Sequence, residues 1–97
     1  MSEHVTFYVG EDLEFHTGKF AEGLTLDQAI ARYRTIKRAR GIKGIGIDFG
    51  GIDAWDLVQG ETINISDLNY VPQIKERPET QEAIEQLKRA FPDFKVV

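Results

Sequence analysis

Residues 25–49 read TLDQAIARYRTIKRARGIKGIGIDF, and two periodicities meet inside them. Leu26, Ala29, Ile30, Tyr33 and Ile36 recur at helical spacing. Thr25 with Gln28 three residues on is a capping-box pattern, and Asp27 sits in the first turn, where the helix dipole favours an acid. The basic residues follow in the second half, where cations suit the C-terminal end, and Gly41 is the expected stop. Beyond it the period changes to two. Ile45, Ile47 and Phe49 alternate with small or polar residues, which predicts a strand over 42–49. A helix running directly into a strand makes this a mixed chain, and the segments around it decide for α+β.

Working outward, His4 to Val9 (HVTFYV) predicts a strand with Val5, Phe7 and Val9 on one face and Thr6 and Tyr8 on the other. Residues 10–23 read as a long loop or an irregular hairpin anchored by Leu13, Phe15 and Phe20. Downstream, Ala54 to Val58 predicts a strand, Gln59-Gly60 a tight turn, and Glu61 to Ile65 the returning strand of a hairpin. Ser66 to Asn69 reads as a turn or a single helical turn. Tyr70-Val71-Pro72 reads as an extended connector, because the residue before a proline is pushed out of the helical region. A second helix is expected from Pro78, a residue suited to the first helical position, with Thr80, Ala83, Ile84, Leu87 and Phe91 as its buried stripe. Pro92 ends it, and Phe94 to Val97 makes a last short strand. Two helices with one apolar stripe each, against alternating strands, predict a two-layer sandwich. Both helices would cover one face of a mostly antiparallel sheet. Strand order beyond the 54–65 hairpin is not set by local pattern.

Ninety-seven residues make one domain, residues 1–97, with roughly 60–65% of the unfolded surface to bury. There is no cysteine, so disulfides and thiolate metal sites are excluded. The start of the chain shows neither the basic nor the apolar region of a secretory signal. No apolar run approaches the ~20 residues needed to cross a bilayer. The expectation is a cytoplasmic protein that does not engage membranes. Charge is segregated: Arg32, Arg34, Lys37, Arg38, Arg40 and Lys43 are half of the twelve basic residues, while sixteen acids are spread over the rest. Such a basic patch on an acidic body is a feature that partners read at a distance. Its plainer reading is packed stems and ion pairs with that body. Nucleic acid is a less favoured partner, because only Tyr33 is interleaved among these cations and it points to the core.

Catalytic signals are thin. His4 and His16 are twelve residues apart, so they read as surface histidines rather than zinc ligands, which come in threes or fours. Asp48, Asp53 and Asp56 flank Gly50-Gly51 without the calcium-loop ladder, and read as turn formers. The glycines at 41, 44, 46, 50 and 51 are not followed by a helix start, so they do not build a phosphate loop. Ser2 and Ser66 are the only serines, and neither has a histidine near it in sequence for a triad. No metal or cofactor is expected. Trp55 and Tyr70 are the aromatics most suited to anchor an interface, with burial of Trp55 in the core as its alternative.

The segments FYVGEDLEFHTGKFAEGLTLDQAIARY, GIKGIGIDF, LVQGETI, LNYVPQIKERPETQEAIEQL and FPDFKVV, taken in order from Phe7 to Val97, resemble a domain of the large polyvalent proteins of Firmicutes conjugative and other mobile elements, which also recurs in small stand-alone proteins. The resemblance implies an accessory module with no catalytic residue to carry over. It implies a role in conjugation, maintenance, or blocking host defence. The expected function is a non-enzymatic protein-interaction module with an unidentified protein partner. Arg34, Arg38, Trp55 and Tyr70 are its candidate contact residues. The alternative is an inhibitor of a host defence nuclease, of an anti-restriction or anti-CRISPR type. A small enzyme, which would need His16 beside Asp48 or Asp53 in one pocket, is the least favoured reading.

Overall fold

The structure is a computed structural model, and it describes residues 4–11, 19–36, 41–50 and 53–97. Its order is β1 (Val5–Gly10), β2 (Lys19–Leu24), α1 (Leu26–Thr35), β3 (Gly44–Phe49), β4 (Asp53–Gln59) and β5 (Thr62–Ile63). A 3-10 helix (Ser66–Tyr70), α2 (Pro72–Lys75), α3 (Pro78–Ala90) and β6 (Lys95–Val96) follow. The strands form one sheet in the order β2-β1-β3-β4-β5-β6. Every pairing is antiparallel except β5 with β6. That last pairing is parallel because the chain crosses over through three helical segments to return beside β5. The chain is therefore α+β, with a mostly antiparallel sheet.

One core lies between the sheet and the two longer helices. Phe7, Val9, Ile45, Ile47, Phe49, Leu57, Val58 and Ile63 supply the sheet side. Leu26, Ala29, Ile30 and Tyr33 of α1 and Ala83, Ile84 and Leu87 of α3 supply the helix side. The two apolar stripes land where the spacing puts them, Phe91 and the fully buried Thr80 included. The capping box of α1 is closed in both directions. Thr25 Oγ1 accepts from the Gln28 N–H at 3.2 Å, and Gln28 Oε1 accepts from the Thr25 N–H at 2.9 Å.

Four boundaries differ from the sequence reading. Helix α1 ends at Thr35 with Ile36 already extended, not at Gly41. The reason is non-local: Lys43, on the way into β3, donates from Nζ to the carbonyls of Tyr33 (3.1 Å) and Ile36 (2.8 Å) and stops the helix there. Residues 19–24 form a strand antiparallel to β1 with two register shifts, nearer the irregular-hairpin alternative than the long loop, and it runs on to Leu24. The sequence KFAEGL lacks a clean alternation, so its strand state comes from β1. The Tyr70–Pro72 connector is not extended: Tyr70 ends the 3-10 helix, Val71 (φ −134°, ψ 66°) lies outside the extended region, and Pro72 opens α2. The hairpin turn is Gly60-Glu61, one residue later than expected, between the paired Gln59 and Thr62. Gly60 at φ +62° supplies the left-handed backbone such a two-residue loop requires.

Candidate functional site

The face of the sheet turned away from the helices carries short side chains. Residues directly opposite one another in neighbouring strands share a face. One row is Thr6, Asp48 and Ala54; the next is Tyr8, Gly46 and Asp56. Tyr8 lies flat across Gly46. A Cβ on Gly46 would sit 2.0 Å from Tyr8 Cζ, so only glycine lets the ring settle there. The ring is thereby buried (6% exposed), and its hydroxyl donates to Asp56 Oδ1 at 2.6 Å. Burial, and then the bond to Asp56, push the Tyr8 phenol well above the ordinary tyrosine range. It is a fixed donor, not a proton-transfer group at neutral pH.

Beside this pair the sheet opens into a cleft of about 270 Å³, lined by Tyr8, Ala54, Trp55, Asp56, Gln59, Asn64 and Asp67. The cleft exists because β5 is short. Strand β4 pairs with β5 only at Val58 and Gln59, and the Asn64 N–H to Leu57 carbonyl bond, 2.8 Å, follows as the last rung. The chain then turns away into the 3-10 helix. Asp53–Asp56 run on, and among the described residues no strand pairs with them on the side away from β3. Asn64 is buried and donates from Nδ2 to Asp67 Oδ2 at 2.7 Å, which fixes the far wall. Trp55 is half-buried: it packs on the core and lines the cleft. The core alternative for Trp55 therefore holds in part.

Tyr70 is 82% exposed. It stands three residues after Asp67 in the 3-10 helix, where side chains at that spacing eclipse. Asp67 lines the cleft, and Tyr70 follows it on the same short helix. Arg34 lies elsewhere, at the end of the molecule where α1, α3 and the β4–β5 turn meet. Its guanidinium donates to the Ala90 carbonyl at 2.8 Å and lies 5.1 Å from the Phe91 ring centroid. A groove of about 580 Å³ opens there, lined by Tyr33, Arg34, Lys43 and Phe94 among others. Lys43 sits 4.5 Å from the Tyr33 ring centroid in addition to its carbonyl bonds. Both cations are thus engaged in closing helix ends. Arg38, with Lys37 and Arg40, falls outside the described residues, as does His16.

Of the four expected contact residues, Trp55 lines the cleft, Tyr70 follows its wall residue Asp67 in the chain, Arg34 lines a different groove, and Arg38 lies outside the described residues. Sequence reasoning missed the Tyr8–Gly46–Asp56 row, whose members are joined only by strand register. Among the described residues no group of three or more His, Asp or Glu is placed to hold a metal ion. Nor, among them, is any helix long and apolar enough to cross a membrane. No protein-family model, curated protein or solved structure matches this chain.

Proposed function

We propose that this chain is a non-enzymatic protein-interaction module, of the accessory kind that mobile genetic elements carry, and that it binds its partner through the cleft side of the sheet. The exposure of Tyr70 next to that cleft carries the reading. A tyrosine this exposed solvates a large apolar ring that a partner would cover, and tyrosine and tryptophan are the commonest interface anchors. Trp55 lines the cleft beside Asp67, and Tyr70 follows Asp67 on the same 3-10 helix. The site offers shape and hydrogen-bonding groups, and the Tyr8 hydroxyl is held as a donor to Asp56.

The test is capture from host lysate with nuclease treatment, using wild type, Tyr70→Ala and Arg34→Ala. The reading expects a partner that survives nuclease, is lost by at least tenfold with Tyr70→Ala, and is retained with Arg34→Ala. Retention with Tyr70→Ala and loss with Arg34→Ala would move the contact surface to the other end of the molecule. The second reading, inhibition of a defence nuclease, is favoured by one observation. Glu79, Glu82 and Glu85 are all exposed along α3, a row of carboxylates that could stand in for phosphates. It expects reversal of those three charges to abolish inhibition and Tyr70→Ala to leave it intact.

A further inference from the structure

Two surface features at opposite ends of α1 are complementary to each other. The first is a groove of about 300 Å³ where the start of α1 meets the first turns of α3. Val5, Phe7, Leu26 and Ala83 give it an apolar lining. Glu79 and Glu82 line it as well, and both are exposed. None of its lining residues is cationic. Among the described residues the ion pair on α3 is Lys88 with Glu85, at 3.6 Å, and it includes neither carboxylate of the groove. The second feature follows the end of α1. Residues 36–43 hold four bases and no acid. Lys43 is taken up in closing the helix. Ile42, next to it, is 40% exposed, and Lys37, Arg38 and Arg40 precede it in the chain.

We infer that the groove receives the 37–42 stretch of a second copy of this chain, so that chains associate head to tail. Ile42 meets the apolar lining. The neighbouring cations reach Glu79 and Glu82, with their aliphatic stems laid over apolar surface. The stretch does not fill the groove of its own chain, because the ten residues of α1 hold the two ends apart, by about 15 Å. An acidic segment or a nucleic acid is repelled by Glu79 and Glu82. A purely apolar segment strips them of water without supplying a cation. What fits is basic residues beside an apolar one, and this chain carries such a stretch with its isoleucine uncovered. The net charge of −4 opposes association at long range, but salt at about 0.15 M screens it beyond about 8 Å. The inference goes beyond the interaction-module reading and uses the helix side of the sheet, leaving the cleft side open. Because groove and stretch are different surfaces, the contact is heterologous, and each copy keeps one of each to offer the next.

The experiment is sedimentation of the whole chain over a concentration series, with two variants. One blocks the groove (Glu79→Lys with Glu82→Lys), and the other blanks the stretch (Arg38→Ala with Arg40→Ala). For wild type the average mass should rise between about 10 µM and about 1 mM. It should return to the monomer value near 1 M salt, where the screening length is about 3 Å. Each variant alone should associate more weakly, by about tenfold or more. Mixed in equal amounts, the two should form a one-to-one dimer and stop there, since the mixture holds one working groove and one working stretch per pair. A variant that had merely lost its fold would not pair in the mixture. Wild type that stays monomeric throughout, association indifferent to either pair of substitutions, or a mixture that forms no dimer would overturn the inference. None of these outcomes bears on the Tyr70→Ala capture, so the two readings fail separately.

Discussion

Tyr8 and Gly46 show how one missing side chain sets a surface. The ring occupies the space a Cβ would take, and this lets its hydroxyl reach Asp56. Gly46→Ala should push the ring out, break that bond and expose the tyrosine. A cost of about 1–3 kcal/mol is expected for such overpacking, read as a lower denaturant midpoint. Tyr8→Ala in the same chain should recover part of it, whereas additive losses would show that the two residues do not meet. The same tyrosines set the alkaline limit. Tyr33, whose hydroxyl donates to the Gly60 carbonyl, has its phenol pushed up from 10.0 to about 12, by burial first and then by Glu61. A phenol whose folded pKa is raised holds its proton more tightly when folded. Its contribution is therefore complete below pH 10, where the unfolded chain ionises, and is lost as pH rises through about 12. Melting temperature should fall across that window, and Tyr33→Phe should remove part of the fall. An unchanged slope in Tyr33→Phe would contradict the assignment.

The two longer helices, α1 and α3, were legible because their signals are local. The Thr25–Gln28 box and the 80, 83, 84, 87 and 91 stripe lie within single turns or adjacent turns, and the structure realises both. The C-terminus of α1 was not legible, because the group that ends it, Lys43, belongs to the approach to β3. Strand β2 was legible only as one of two alternatives, the irregular hairpin, since its hydrogen bonds depend on β1 and its own sequence alternates poorly. The cleft is the extreme case: Tyr8 and Asp56 are 48 residues apart, and only the register of three strands joins them. The capping groups can be separated by substitution. Thr25→Ala should cost about 1 kcal/mol. Lys43→Met, which removes two charge-assisted bonds and a cation over the Tyr33 ring, should cost about 1–2 kcal/mol. In a chain this size either change lowers the melting temperature by about 4–8 °C per kcal/mol. Arg34→Ala, at an exposed helix end, should cost less than about 1 kcal/mol. A Lys43→Met variant as stable as wild type would mean that α1 stops for another reason.

Across the whole molecule the two sides of the sheet divide the work. One side is sealed by α1 and α3 into a core in which Ile45, Ile47, Phe49, Leu57 and Leu87 are fully buried, and where Leu87→Ala should cost about 2–5 kcal/mol. The other side carries glycines, short side chains and carboxylates, and it gives way to a cleft where β5 stops short. Charge is divided too: the described cations Arg34 and Lys43 close helix ends, while Asp56 and Asp67 line the cleft. The proposed interaction surface on the cleft side rests on this division, and one on the basic stretch does not. The measurement that separates them is the hydrogen-exchange footprint of the whole chain with and without its captured partner. The account predicts protection at residues 53–56 and 67–70, with amides 32–36 and 41–43 unchanged. Protection confined to 32–36 and 41–43, with 53–56 exchanging freely, would contradict it.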